Sequence, residues 1–220
     1  MNHFAFRMLR QFILPACFAI SLPVFAFAQD KAAEKESALT DQERAEAVKY
    51  LEETRQSFLD SVKGLSEAQW KYKAGPDRWS IAEVAEHITI TEETILGRVK
   101  QIAQTPASAS PEKKEAVKGK EAMIRASITN RSVKVQAPEI LKPTNRWATQ
   151  EDLVKAFKAS RDKTISYIKE TPDDLRSHFF AHPVFKDLDA YQWVILISGH
   201  GARHTAQINE VKEDPGYPKK

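Results

Sequence analysis

Cysteine is almost absent from this chain of 220 residues, which contains only Cys17. A single cysteine allows no disulfide within the chain and excludes a cysteine-rich zinc site. Glycine is scarce, with seven residues, and no stretch alternates apolar and polar side chains long enough to indicate a buried strand. The core must therefore be held by packing, and any metal ion by histidine, aspartate or glutamate.

The first 28 residues have the three parts of a secretory signal peptide. Arg7 and Arg10 precede an apolar run from Phe12 to Phe27, and a small-x-small cleavage site follows at residues 26–28. The run contains two prolines and is short for a membrane span of about 20 residues. We therefore predict cleavage after Ala28, no stable membrane insertion afterwards, and a secreted or periplasmic protein.

A lipoprotein signal is the alternative interpretation of the same segment. Residues 14–17, Leu-Pro-Ala-Cys, would place a lipidated Cys17 at the new N-terminus. Only a short hydrophobic stretch would then precede the cut. We therefore favour cleavage after Ala28.

The mature chain is expected to fold as one domain. Residues 29–38 are small and charged and predict a flexible leader, residues 39–214 form the domain, and residues 215–220 form a tail. The signal segment holds two of the 33 Lys and Arg residues and none of the 30 Asp and Glu residues, which leaves 31 basic against 30 acidic residues. This balance argues against nucleic-acid binding, which normally needs a clustered basic face.

Capping signals predict four principal helices. Three starts combine a capping residue with Glu or Gln three residues later, the pattern of a capping box, and the fourth is followed by acidic residues in its first turn. The boxes are Thr40 with Glu43, Ser80 with Glu83 and Asp189 with Gln192, and the fourth start is Thr149. These signals indicate an all-α fold.

A long segment, from about residue 104 to 148, separates the second and third predicted helices. A connection of this length can cross a bundle and allow successive helices to run parallel. Residues 112–128 are charged and are expected to be partly helical, while Pro138 and Pro143 indicate extended chain before the third helix.

The fourth predicted helix carries two histidines on its apolar face. His200 and His204 lie four residues apart, so their imidazoles project from one side, one turn apart. Buried ring nitrogens are costly without partners, and a shared metal ion would supply one. Such a pair also arises by chance, and an inward histidine is often only a hydrogen-bonded core residue.

A third histidine strengthens the metal hypothesis. His87 follows the second capping box and lies about 10 Å from its helix start, while His204 lies about 14 Å from the end of its own helix. These distances place His87 and His204 at the same height along the bundle only if the two helices are antiparallel. We therefore predict a divalent metal site, nickel or zinc, held by His87, His200 and His204.

The remaining candidate residues carry weaker signals. His178 and His182 are also four apart, but Pro183 disfavours a shared helix, so we expect a loop over one end of the bundle that could line the cavity. Glu86 and Arg203 could assist chemistry, although Glu86 is expected to be a solvated helix residue. Catalytic residues therefore stay unassigned. Gly199 and Gly201 indicate either close helix packing or the close approach of another group to the backbone.

These residues resemble the DinB-like superfamily of helical bundles. The matching stretches are residues 78–88, Ala137-Pro138, Leu141-Lys142-Pro143, residues 182–185, and residues 191–208 with the pattern His-x-x-x-His-x-x-Gln. The similarity covers nearly all of residues 40–213. The resemblance implies a four-helix bundle with an up-down-down-up path and a nickel, zinc or similar site at the same three histidines. Some relatives are thiol-dependent transferases of the cytoplasm, a setting from which the predicted signal peptide departs.

Two classes of function follow from these patterns. The first is a metal-dependent hydrolase or group transferase that acts on an unidentified small molecule, with the ion activating water or a thiol. The alternative is a non-catalytic metal-binding or stress-associated module, which a fourth protein ligand such as Asp or Glu would favour. A docking protein has no apolar surface patch to support it. The sequence allows a homodimer but does not argue for one.

Overall fold

The computed structural model describes Met1 and residues 39–132 and 135–219. Apart from Met1, the predicted signal peptide and leader lie outside these residues, so both stay predictions. Four long helices form the fold: α1 (Asp41–Val62), α3 (Ile81–Ala103), α6 (Gln150–Glu170) and α7 (Ala190–Lys212). The shorter elements are α2 (Glu67–Lys71), α4 (Pro111–Val117), α5 (Lys120–Ile128), a 3-10 turn (Glu139–Leu141), β1 (Phe179–His182) and β2 (Lys186–Asp189).

Each long helix begins immediately after its predicted cap. At Thr40, Ser80 and Asp189 both hydrogen bonds of the capping box form, so the cap and the third helical residue satisfy each other's backbone N–H groups. Thr149 accepts a hydrogen bond from the Asp152 backbone N–H. These signals are local in sequence, which is why they place the helix starts well.

Contacts between distant residues establish the predicted up-down-down-up path. Helix α7 packs against α1 and α3, and α6 packs against the same two helices. The Tyr191 hydroxyl donates to the Glu43 carbonyl, while the Lys212 ammonium donates to the Ser61 carbonyl, so α1 and α7 are parallel. Contacts from Glu92 to Arg161 and from Gln104 to Asp173 make α3 and α6 parallel as well. The crossover between α3 and α6 permits this arrangement.

The core consists of two apolar layers with a polar layer between them. One apolar layer surrounds the first half of α7, and the other surrounds its second half. Phe58 and Phe157 meet in the second layer with ring centroids 4.2 Å apart. Between the layers lie Arg161 and Glu92, with 0% and 2% of their surfaces exposed.

A short antiparallel hairpin is an addition to the predicted all-helical fold. Strands β1 and β2 pair from Phe179 with Asp189 to His182 with Lys186. Neither strand alternates apolar and polar residues along its length, because the sequences are Phe-Phe-Ala-His and Lys-Asp-Leu-Asp, so the pattern by which strands are recognised is missing. The hairpin stands where we expected a loop over one end of the bundle. None of the helices in the described ranges has the length and apolar character that a membrane span requires.

Candidate metal centre

The structure brings His87, His200 and His204 together between α3 and α7. Their ligand nitrogens all lie within 4.8 Å of one another. The ring centroids are 4.9 Å apart for His87 and His200, 4.6 Å for His87 and His204, and 4.3 Å for His200 and His204. Helices α3 and α7 are antiparallel, so an early residue of one meets late residues of the other. This is the arrangement that the sequence required for a shared ion.

Two of the three rings are oriented by hydrogen bonds on their outer nitrogens. His87 Nδ1 lies 2.7 Å from the Leu141 carbonyl oxygen, which can only accept, so Nδ1 carries the hydrogen. His204 Nδ1 lies 2.8 Å from Gln207 Oε1, which also accepts from Arg131 at 3.3 Å. In both rings the Nε2 lone pair therefore stays available for a metal ion. Outer partners of this kind fix tautomer and ring orientation in known metal sites.

Burial keeps the three imidazoles neutral. Burial lowers the pKa of His87 from its usual value, and burial with repulsion from the neighbouring histidines lowers that of His200 well below the usual range. The pKa of His204 falls to about 3, chiefly through burial and then through repulsion from His87. Neutral imidazole is the form that binds metal, so the rings are prepared for ligation at neutral pH.

The spacing of the rings suits a divalent ion. His87 Nε2 and His200 Nε2 are 3.2 Å apart. Two bonds of about 2.0–2.1 Å at tetrahedral angles would place their ligand atoms about 3.3 Å apart. Within the described residues no carboxylate belongs to this cluster. Three imidazoles would therefore leave at least one position of a tetrahedral ion open, and the residues fit such an ion.

Glu86 is buried, and the expectation that it is solvated was wrong. Its side chain is 3% exposed and accepts hydrogen bonds from the backbone N–H groups of Thr144, Asn145 and Arg146 at 2.8, 3.0 and 3.1 Å. Three donors stabilise the buried carboxylate. Glu86 thereby fixes the crossover segment that follows Leu141, whose carbonyl orients His87. Local sequence could not reveal these partners, which lie 58 to 60 residues away.

Gly199 and Arg203, which lie near His200, serve the packing of α5 against α7. A Cβ atom at Gly199 would lie 2.6 Å from Cγ2 of Ile128, so α5 can approach α7 only at a glycine. A Cβ at Gly201 would lie 3.5 Å from Arg161 Nη2. Arg203 donates to the carbonyl oxygens of Ile128 and Asn130, which ties the end of α5 to α7. At Gly199 the structure supports the close-packing interpretation, whereas the contact at Gly201 is an ordinary van der Waals distance that supports neither interpretation.

Gln207 and Leu141 are the site residues whose roles the sequence did not assign. Gln207 lies three residues after His204, a spacing that places both on one helix face, so its role could have been inferred. Leu141 acts through its backbone carbonyl, and no side-chain pattern indicates that. Trp79 adds a further contact, because its ring lies 4.9 Å from the ring of His87.

His178 and His182 lie outside the cluster. His178 is buried just before β1, and His182 is partly buried at the end of β1. They do not share a helix, as the following proline predicted.

A groove of about 700 Å³ lies around Arg176 and the N-terminus of α7. There Arg176 pairs with Glu43, Glu121 and Asp189, so these charges are used by the fold.

Comparisons with known proteins show the family and the fold of the chain. The model of the DinB superfamily matches residues 28–208. YuaE, an uncharacterized protein of Bacillus subtilis strain 168, is 26% identical over 162 residues, which cover 73% of this chain and 94% of YuaE. YfiT from Bacillus subtilis is described as a probable metal-dependent hydrolase with an unusual four-helix bundle topology. Its structure matches with a TM-score of 0.53 at 13% identity, covering 82% of this chain and 92% of YfiT, and at that identity the likeness shows the fold.

Proposed function

The chain belongs to the DinB superfamily, and from this premise we propose that it is a metal-dependent hydrolase acting on a small molecule. One observation carries the proposal: three neutral imidazoles, of His87, His200 and His204, converge without a carboxylate among the described residues. The description of YfiT as a probable metal-dependent hydrolase supports the reaction class. Group transfer at the same site is the variant in which a second substrate replaces water.

The three histidines would hold the ion, and their neighbours would keep the rings in place. A divalent ion bound there supplies Lewis acidity and a nucleophile at neutral pH. The Leu141 carbonyl and Gln207 hold the outer nitrogens of His87 and His204, so both rings present Nε2 inward. Trp79 packs against His87, with ring centroids 4.9 Å apart. Glu86 fixes the segment that follows Leu141.

An open position favours an enzyme over a non-catalytic module. A structural metal site is normally closed by four protein ligands, whereas a catalytic site keeps a position for water or substrate. The nearest acidic candidate in sequence, Glu86, is occupied by three backbone N–H groups. We further propose that the enzyme is exported and works outside the cytoplasm, on the basis of residues 1–28.

Metal analysis with a matched control tests the proposal. We expect about one divalent ion per chain in the wild-type protein and none in His200→Ala. His178→Ala is the control, because His178 is a buried histidine of the same chain that lies outside the cluster. This control is expected to retain the ion. Equal metal content in wild type and His200→Ala would overturn the proposed site.

Activity then separates the enzyme from the module. The metal-loaded protein is screened against chromogenic esters, amides and phosphoesters. Hydrolysis that disappears in His200→Ala and persists in His178→Ala supports the hydrolase. A protein that binds one ion per chain through the three histidines but hydrolyses none of these classes would support the metal-binding module instead.

A further inference from the structure

Arg131 lies one hydrogen bond beyond the partner of His204. Its Nη1 donates to Gln207 Oε1 at 3.3 Å, and the same oxygen lies 2.8 Å from His204 Nδ1. The guanidinium also pairs with Glu210, because Nε and Nη2 each donate to one oxygen of that carboxylate. These contacts form a continuous chain from Arg131, through the side chain of Gln207, to a candidate metal ligand.

The packing of α5 against α7 places Arg131 in this position. Arg131 follows the last residue of α5 by three residues, and Arg203 on α7 donates to the backbone carbonyl oxygens one and three residues before it. Gln207 and Glu210 lie three residues apart on one face of α7, so a single guanidinium can reach both. The Arg131 side chain is only 18% exposed, which limits the water that competes for its N–H groups.

The guanidinium fixes the direction of this chain because it can only donate hydrogen bonds. Gln207 must turn its amide oxygen towards Arg131, and His204 Nδ1, which shares that oxygen, must then carry a hydrogen. If the amide turned over, its NH₂ group would face the N–H groups of Arg131, and two donors would oppose each other. The same turn would make His204 Nδ1 an acceptor and move the ring hydrogen to Nε2.

The two amide orientations differ in what they allow His204 to bind. A histidine nitrogen binds a metal ion through its lone pair, so a hydrogen on Nε2 of His204 would exclude the ion. From the side of His204 alone the two orientations are equivalent, since each gives Nδ1 one hydrogen bond to the amide. Arg131, on the far side of Gln207, distinguishes them.

We propose that Arg131 is a positioning residue of the metal centre: by fixing the Gln207 amide, it holds the hydrogen of His204 on Nδ1 and keeps the Nε2 lone pair open for a divalent ion. This inference rests on the proposed function. A purely electrostatic role would have the opposite sign, because a nearby positive charge repels a cation and its removal would strengthen metal binding. Positioning by Arg131 requires that its removal weakens metal binding.

The tautomer of His204 can be measured directly, in the metal-free protein labelled with ¹⁵N-histidine at pH 7.5. Long-range ¹H–¹⁵N correlation spectra distinguish a ring nitrogen that carries a hydrogen from one that does not, and the signals of His204 are those absent from His204→Asn. We expect the Nδ1–H tautomer alone in the wild-type protein and a mixture of both tautomers in Arg131→Met. Arg131→Lys, which keeps a cation that can only donate, should restore the wild-type tautomer.

Zinc titration in competition with a coloured chelator measures the consequence for metal binding. Arg131→Met should bind zinc about two- to fivefold more weakly, the factor by which the population with a free Nε2 falls. In the Gln207→Glu background the same substitution should cause no loss, since either carboxylate oxygen accepts from Nδ1 whichever way the group turns. A merely structural role of Arg131 predicts the same loss with Gln or Glu at this position.

The results that overturn this inference differ from those that overturn the proposed function. Three outcomes each defeat the role of Arg131 and leave the metal site intact: the Nδ1–H tautomer alone in Arg131→Met, zinc affinity in Arg131→Met that equals or exceeds that of the wild type, or an equal loss in the Gln207→Glu background. A wild-type protein that binds no divalent ion defeats the proposed function and this inference with it.

Discussion

Two polar clusters in this bundle, one fully buried and one partly buried, differ in the groups that join their side chains. Around Arg161, protein groups satisfy one another: the guanidinium donates to both oxygens of Glu92 at 2.8 and 2.9 Å, and to the Leu51 carbonyl at 2.6 Å. The same guanidinium and Glu92 also bind the hydroxyls of Thr54 and Thr164. In the histidine cluster, by contrast, ring nitrogens point at one another.

This difference distinguishes a structural cluster from a ligand site. A buried polar network whose members are all satisfied needs no additional group and can specify how the helices pack. In the histidine cluster His87 Nε2 and His200 Nε2 lie 3.2 Å apart, and among the described residues no carboxylate joins the three rings. An ion between them would complete the cluster. The comparison predicts that substitutions in the first cluster change folding, and that those in the second change metal binding.

The largest expected effect is on folding, from Arg161→Met. Removing the guanidinium leaves the buried Glu92 without its main partner, which typically costs about 3–5 kcal/mol of unfolding free energy. Urea denaturation followed by circular dichroism measures this loss. The double variant Arg161→Met/Glu92→Leu is the control and should recover much of it, because an apolar pair replaces the whole ion pair. A loss below about 1 kcal/mol in the single variant would contradict the comparison.

Metal removal should lower the melting temperature of the protein only when the histidine cluster is intact. A ligand present at about 100 times its dissociation constant stabilises the folded state by about 2.7 kcal/mol, or roughly 5–10 °C in melting temperature for a domain of this size. Calorimetry with and without a chelator measures this shift in the wild-type protein. His200→Ala should show no shift on chelation. An equal shift in both proteins would place the ion elsewhere.

Gln207→Leu tests the orientation of His204 with a smaller effect. The substitution removes the acceptor for Nδ1 of His204, so the ring loses its fixed tautomer. Outer partners of this kind are worth about 10- to 100-fold in metal affinity. Competition with a coloured chelator measures the affinity, and Gln207→Glu, which keeps an acceptor at this position, is the conservative control. Wild-type affinity in Gln207→Leu would show that packing alone orients the ring.

Local signals made most of the fold predictable from the sequence. Thr40, Ser80, Thr149 and Asp189 each mark a helix start through neighbours three residues away, and each cap forms as expected. The sequence predicted that the three candidate ligands meet, because His200 and His204 lie on one helix face and His87 lies at the same height along an antiparallel helix. The resemblance to a known family supplied the order of the helices.

Partners distant in sequence made the rest unpredictable. Glu92 and Arg161 are 69 residues apart in the sequence. Charged residues in helices are usually exposed to solvent, so neither residue alone predicts a buried ion pair. Glu86 was misjudged for the same reason, since its donors are backbone N–H groups of the crossover. The hairpin at His182 consists of two four-residue strands in which apolar and polar residues do not alternate, so no strand pattern marks them in the sequence.

The smallest expected effect is a pH dependence of the metal-free protein. Burial and repulsion from His87 lower the pKa of His204 from 6.5 to about 3, so the unfolded chain takes up this proton before the folded protein does. Stability from this residue is therefore complete above pH 6.5 and is lost as the pH falls towards 3. Between pH 7.5 and pH 6 the loss should be about 0.8 kcal/mol. Urea denaturation of the metal-free protein at the two pH values measures it, and His204→Asn should lack this part of the change. A metal-free wild-type protein that gains stability on acidification would show that the cluster does not hold His204 neutral.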